Sequence, residues 1–72
     1  MQQVLVIAAP QIHAQLERPL RVEGFESSHA AAGRQALDLL SRRDFDVVVL
    51  DLVLPDMSGT ELLRQIKQRA EI

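Results

Sequence analysis

Apolar and polar positions alternate along the chain in blocks of two kinds. Val4 to Ala9 reads VLVIAA with no polar break. Such a run suits a strand covered on both faces, as in a parallel sheet. Pro10 ends it. Ile12, Leu16 and Leu20 then recur every four residues among Gln11, Gln15, Glu17, Arg18 and Arg21, which predicts an amphipathic helix ending near Gly24. Pro19 lies inside that helix, removes one backbone hydrogen bond and predicts a kink. Phe25 to His29 (FESSH) predicts a shorter, more polar strand at a sheet edge. Ala30 to Gly33 forms a turn, and Arg34 to Arg43 a second helix with Ala36, Leu37 and Leu40 on one side.

Phe45 to Leu50 (FDVVVL) is the strongest strand signal, with three β-branched residues in a row. It runs into Asp51–Gly59, a loop by its Pro, Ser and Gly. Ser58 stands three residues before Glu61, a capping-box spacing that opens a last helix. Leu62, Leu63 and Ile66 supply its apolar face. Arg64, Lys67 and Arg69 take the outside and place positive charge near the helix C-terminus, where the dipole favours it. The order is β-α-β-α-β-α. With right-handed crossovers this is an α/β domain over 1–72, a three-stranded parallel sheet with helices on both faces.

Composition narrows the function. With no cysteine among 72 residues, disulfide scaffolds, thiolate zinc sites and cysteine nucleophiles are excluded. Two Phe and no Trp or Tyr leave the core to aliphatic side chains. The net charge of −2 comes without a basic patch, so no nucleic-acid binding is expected of this segment. Met1-Gln2-Gln3-Val4 lacks a positive leader, and no stretch reaches the roughly 20 apolar residues of a membrane span. A cytoplasmic location with no membrane contact is the expectation.

In open α/β sheets, ligands bind outside the carboxyl ends of the strands. Ala8, Ala9 and Pro10 stand there after the first strand, His29 to Gly33 after the second, Asp51 to Gly59 after the third. Only the third set carries strong chemistry. Asp51 ends a very apolar strand, which fixes its carboxylate at the crevice; a loop-stabilising aspartate is the plainer reading of the same position. His13 and His29 are far apart in sequence and read as surface or interface side chains rather than metal ligands. Gly33 suits a helix entry, Met57 a loop anchor.

VVVLDLVLPDMSGTELLRQI resembles the third strand, phosphoacceptor loop and third helix of the response-regulator receiver domains of two-component signalling. VLVIAAP resembles their first strand, and EGFESSHAAAGRQALDLL their second strand and helix. The resemblance implies a three-layer flavodoxin-like fold, here its N-terminal half. It also implies Asp51 as the phosphoacceptor, a sensor histidine kinase as partner, Mg²⁺ as cofactor and a signalling role rather than an enzyme's. By the same match, Mg²⁺ is held by Asp51, the carbonyl of Val53 and an acidic pair after the first strand.

Two departures qualify that picture. Ala8 and Ala9 replace the acidic pair, and methyl groups cannot ligate Mg²⁺, which demands hard oxygen donors. The sequence also stops before the fourth and fifth β/α units of a full receiver. The expectation is a degenerate receiver that binds no Mg²⁺ and acts through protein contacts. A phosphoacceptor at Asp51 within a longer chain, regulating transcription or another output, is the alternative. With receiver strand order the third strand becomes an edge. A homodimer is expected there, through Val47 and Val49 of that strand, Ile12 and Leu16 of the first helix, and Leu63 and Ile66 of the third.

Overall fold

The computed structural model describes residues 2–69; Met1 and 70–72, with the final Ile72, lie outside the described residues. Strands β1 (Gln2–Ile7), β2 (Phe25–Ala30) and β3 (Val47–Leu50) alternate with helices α1 (Pro10–Val22), α2 (Gly33–Arg42) and α3 (Gly59–Arg69). The strands form one parallel sheet in the order β2-β1-β3. β1 is therefore the central strand, and Val4 to Ile7 are all buried. That is what its unbroken apolar run encodes.

Alternation within the run divides the core. Val4, Val6 and Ala8 face α1 and meet Leu16, Leu20 and Phe25. Leu5 and Ile7 face the other way, onto Ala36 and Leu37 of α2 and Leu62 of α3. Each fully buried Leu or Ile here contributes about 1.5–3 kcal/mol relative to an exposed one. The register places Val47 opposite Val4 and Val49 opposite Val6, so those two valines share the α1 side of the sheet. They remain 43% and 38% exposed, because α1 packs mainly over β2 and leaves β3 uncovered.

Several boundaries differ from the sequence reading, each for a local reason. Pro10 does more than end a strand: it is the first residue of α1, where a missing N–H has no intrahelical partner to lose. The helix runs through Pro19 to Val22, and Gly24 closes the turn with φ of +90°. β2 runs on to Ala30, whose carbonyl accepts the Ala8 amide at 3.0 Å. β3 starts only at Val47. Just before it, the Asp46 amide bonds Gln3 O at 2.8 Å and Asp46 Oδ2 takes the Gln3 amide at 2.7 Å, a side chain standing where a ladder carbonyl would. On α3, Leu62 is fully buried but Leu63 is 56% exposed, so Leu63 lies outside the apolar face assigned to it.

Candidate functional site

The carboxyl ends of the three strands lie side by side as the topology requires, and Asp51 follows the edge strand β3, next to the end of β1. Its amide bonds the Ile7 carbonyl at 2.9 Å, extending the β1–β3 ladder by one rung and fixing the residue on the rigid sheet. The side chain is half-buried. Asp51 Oδ1 accepts the Val53 amide at 3.2 Å, the loop-stabilising bond read from sequence as its plainer role. The two roles are compatible, since one such bond leaves acceptor capacity on the carboxylate.

The loop after Asp51 is held at its base and at its tip. At the base, Gly59 N donates to Leu52 O at 2.8 Å, and Val53 forms an antiparallel bridge with Ser58. Gly59 is required there, since a Cβ would sit 2.6 Å from Leu52 Cα and 2.7 Å from Asp51 O. Ser58 Oγ caps α3 by accepting the Glu61 amide at 3.1 Å, as its spacing predicted. At the tip, Asp56 reaches across to α2. Its Oδ1 accepts the Gly33 amide at 2.8 Å and Oδ2 the Arg34 amide at 3.0 Å. The Arg34 and Gly33 amides hold the Asp56 carboxyl below the ordinary carboxylate value, and the Arg34 guanidinium adds to the effect. The α2 residue at the N-cap position, Ala32, makes no side-chain cap of its own. Met57 closes over Gly33, so both residues have the roles read from the sequence, loop anchor and helix entry.

Across from Asp51, β1 delivers Ala8 and Ala9. Ala8 is buried, and Ala9 stands at the α1 N-cap with no side-chain bond to give. The carbonyl of Val53 and the carboxylate of Asp51 are the oxygen donors expected of a metal site here, and Val53 itself is 81% exposed. Among the described residues no group of three or more His, Asp or Glu side chains converges.

The histidines, read from the sequence as surface or interface side chains, pack together where α1 meets β2. His13 and His29 are not independent surface side chains: their rings stack at 4.4 Å between centroids and 17° between planes. His29 Nε2 lies 3.0 Å from the Ala8 carbonyl. A carbonyl can only accept, so that nitrogen carries the proton. His13 Nε2 is enclosed with no partner. The missed signal was periodicity: His13, Leu16 and Leu20 form the inward stripe of α1, while Ile12 is 37% exposed. Of the six interface candidates, Val47, Val49, Ile12 and Leu63 are exposed, whereas Leu16 and Ile66 pack against the two core clusters.

Comparison with known proteins agrees with this geometry. The family model of the response regulator receiver domain matches residues 4–72. Sensory transduction protein RegX3 of Mycolicibacterium smegmatis is 43% identical over 53 residues, covering 74% of this chain and 23% of that protein. Cell cycle transcriptional regulator CtrA of Caulobacter vibrioides is 40% identical over 65 residues, covering 89% of this chain and 28% of CtrA. The crystal structure of response regulator TrrA of Thermotoga maritima with Mg²⁺–BeF superposes with a TM-score of 0.92 at 32% identity, covering 99% of this chain and 63% of that one. A crystal structure of TrrA in complex with the histidine kinase ThkA gives a TM-score of 0.93 at 32% identity, covering 99% and 62%. The chain thus spans less than two thirds of each of these relatives.

Proposed function

We propose, for a chain that belongs to the response regulator receiver domain family, a role as a receiver-like module of two-component signalling that acts through protein contacts. Its metal-assisted phosphoacceptance is weakened at the source. The observation that carries this reading is the pair of methyl groups, Ala8 and Ala9, at the β1 end facing Asp51. Phosphoryl transfer to a carboxylate brings anion to anion, so it depends on charge neutralisation and positioning. Mg²⁺ would supply that neutralisation, and it requires several hard oxygen ligands in near-octahedral array. Asp51 and the Val53 carbonyl are too few, and the Ala8 carbonyl already accepts from His29. These residues do not fit the ion.

Asp51 keeps the position of the phosphorylated aspartate, at a strand end with its loop anchored. That favours a second reading, in which Asp51 accepts phosphate within a longer chain that regulates transcription or another output, CtrA being a transcriptional regulator by name. A sensor histidine kinase is the partner we infer in either case, met by this chain in the cytoplasm, by analogy with TrrA, which was crystallised with ThkA. The uncovered edge of β3 also fits a second copy. A two-fold axis would pair the two β3 strands antiparallel, with Val47, Val49, Ile12 and Leu63 in or beside the contact.

Mass spectrometry after incubation with acetyl phosphate and Mg²⁺ separates the two readings. The first expects no added phosphoryl group on the chain as it stands. It also expects the Ala8→Asp, Ala9→Asp double variant to gain one, lost again on Asp51→Asn. Ready phosphorylation of the unaltered chain at Asp51 would establish the second reading. Sedimentation equilibrium across a hundredfold concentration range tests the dimer, which fails if the folded chain stays monomeric at high micromolar concentration.

A further inference from the structure

A groove of about 520 Å³ runs between α2 and α3. Arg34, Leu37, Asp38 and Ser41 of α2 line one wall, Gln65 and Arg69 of α3 the other, and Met57 closes one end; the Asp38 carboxylate is paired with Arg42 at 3.4 Å. Met57, with the little of Leu37 left exposed by the core, supplies the apolar part of the lining. From Arg34 to Ser41 the wall rises about 10 Å, two helical turns.

Charge is distributed unevenly around this groove. α2 and α3 together carry five basic residues and two acidic ones, in a chain whose net charge is −2. Both acids are paired on their own helix, Asp38 with Arg42 at 3.4 Å and Glu61 with Arg64 at 3.7 Å. Asp56 is the acid beside Arg34, and both its oxygens accept α2 amides. Arg34 and Arg69 therefore have no ion-pair partner among the described residues, and each lines the groove.

We propose that this groove docks a short acidic amphipathic helix of a partner protein. Its carboxylates, seven residues apart, meet Arg34 and Arg69, and an apolar side chain between them rests on Leu37 and Met57. Seven residues of helix rise about 10 Å, the length of the α2 wall. Carboxylate–guanidinium pairing gives orientation and charge selectivity. Asp51 does not line this groove and the docking needs no phosphoryl chemistry, so it is tested separately from the function proposed above.

The test is fluorescence anisotropy of the 72-residue chain with a fluorescein-labelled alanine-based helical peptide. It carries Glu at positions i and i+7 and Leu at i+3 and i+4. Saturable binding is expected, at least tenfold weaker when both Glu are replaced by Lys, and at least tenfold weaker for the Arg34→Glu, Arg69→Glu chain. The Arg34→Gln, Arg69→Gln chain serves if circular dichroism shows that the charge reversal has unfolded it. Amide shifts on binding should centre on Leu37, Met57 and Gln65. Absence of binding at millimolar peptide, equal binding of the Lys peptide, indifference to the arginine variants, or shifts confined to the β3 edge would each overturn the proposal.

Discussion

Two glycines at helix starts look interchangeable in the sequence, and the structure separates them sharply. At Gly33 an added Cβ would meet Met57 Sδ at 2.5 Å and Cγ at 2.6 Å, atoms near the end of a flexible side chain. At Gly59 it would meet Leu52 Cα at 2.6 Å and Asp51 O at 2.7 Å, which are backbone. Gly33→Ala gains about 0.5–1 kcal/mol of helix stability and loses about 0.5–1.5 kcal/mol by forcing Met57 off its rotamer. The net change should lie within about 1 kcal/mol of zero. Gly59→Ala has the same helix gain, but the loop backbone must retreat by several tenths of an ångström. Overpacking of that kind costs about 1–3 kcal/mol, and the Gly59–Leu52 hydrogen bond, worth about 0.5–1.5 kcal/mol, goes with it. A net loss of about 0.5–4 kcal/mol follows, and each kcal/mol lowers the melting temperature of a chain this size by roughly 4–8 °C. Urea and thermal denaturation followed by circular dichroism would measure both variants side by side. Equal losses at the two positions, or a larger loss at Gly33, would refute the distinction between side-chain and backbone obstacles.

Leu62→Ala should cost about 2–5 kcal/mol in urea denaturation, and Leu63→Ala less than about 0.5 kcal/mol; comparable losses would contradict the packing of α3. His13→Leu removes an enclosed nitrogen without a partner and should stabilise by about 1 kcal/mol, a gain that a lower denaturation midpoint would disprove. Asp56 is held below the ordinary carboxylate value in the folded chain. Its contribution is therefore complete above that value and fades as pH falls through the lower folded value. Asp56→Asn should flatten stability against pH in this acid range, and an unchanged acid profile would show that the α2 cap does not depend on the charge. Ala8→Asp with Ala9→Asp should lower the melting temperature without metal, because like charges then gather near Asp51. Added Mg²⁺ should restore it, and failure to do so would mean that the loop carbonyl cannot join a metal site.

Every strand and helix was legible in the sequence, because the apolar pattern has to match the sheet. β1 reads as a continuous run since both its faces are covered, and α3 announces its start through Ser58. The position of Asp51 was equally readable, since a strand that ends in a carboxylate exposes it at the crevice. What stayed hidden depends on pairs distant along the chain. Asp56 caps a helix 22 residues earlier, and nothing local distinguishes it from any loop aspartate. The stacking of the histidines joins residues 16 apart, and only the helical spacing of His13 with Leu16 and Leu20 hints that His13 points inward. Ile12 was misjudged by the same one-residue rotation of α1.

The cap that Asp56 lends to α2 ties the order of folding to topology. A helix whose N-terminal amides are satisfied only by a loop that comes later in the chain has little reason to persist before that loop arrives. A fragment ending at Leu50 contains every residue of α2 yet should show reduced helicity there. In the whole chain, the first α2 amides and the loop around Met57 should open to hydrogen exchange together, as one cooperative unit. Loop closure over that span would then set the pace at which the start of α2 forms.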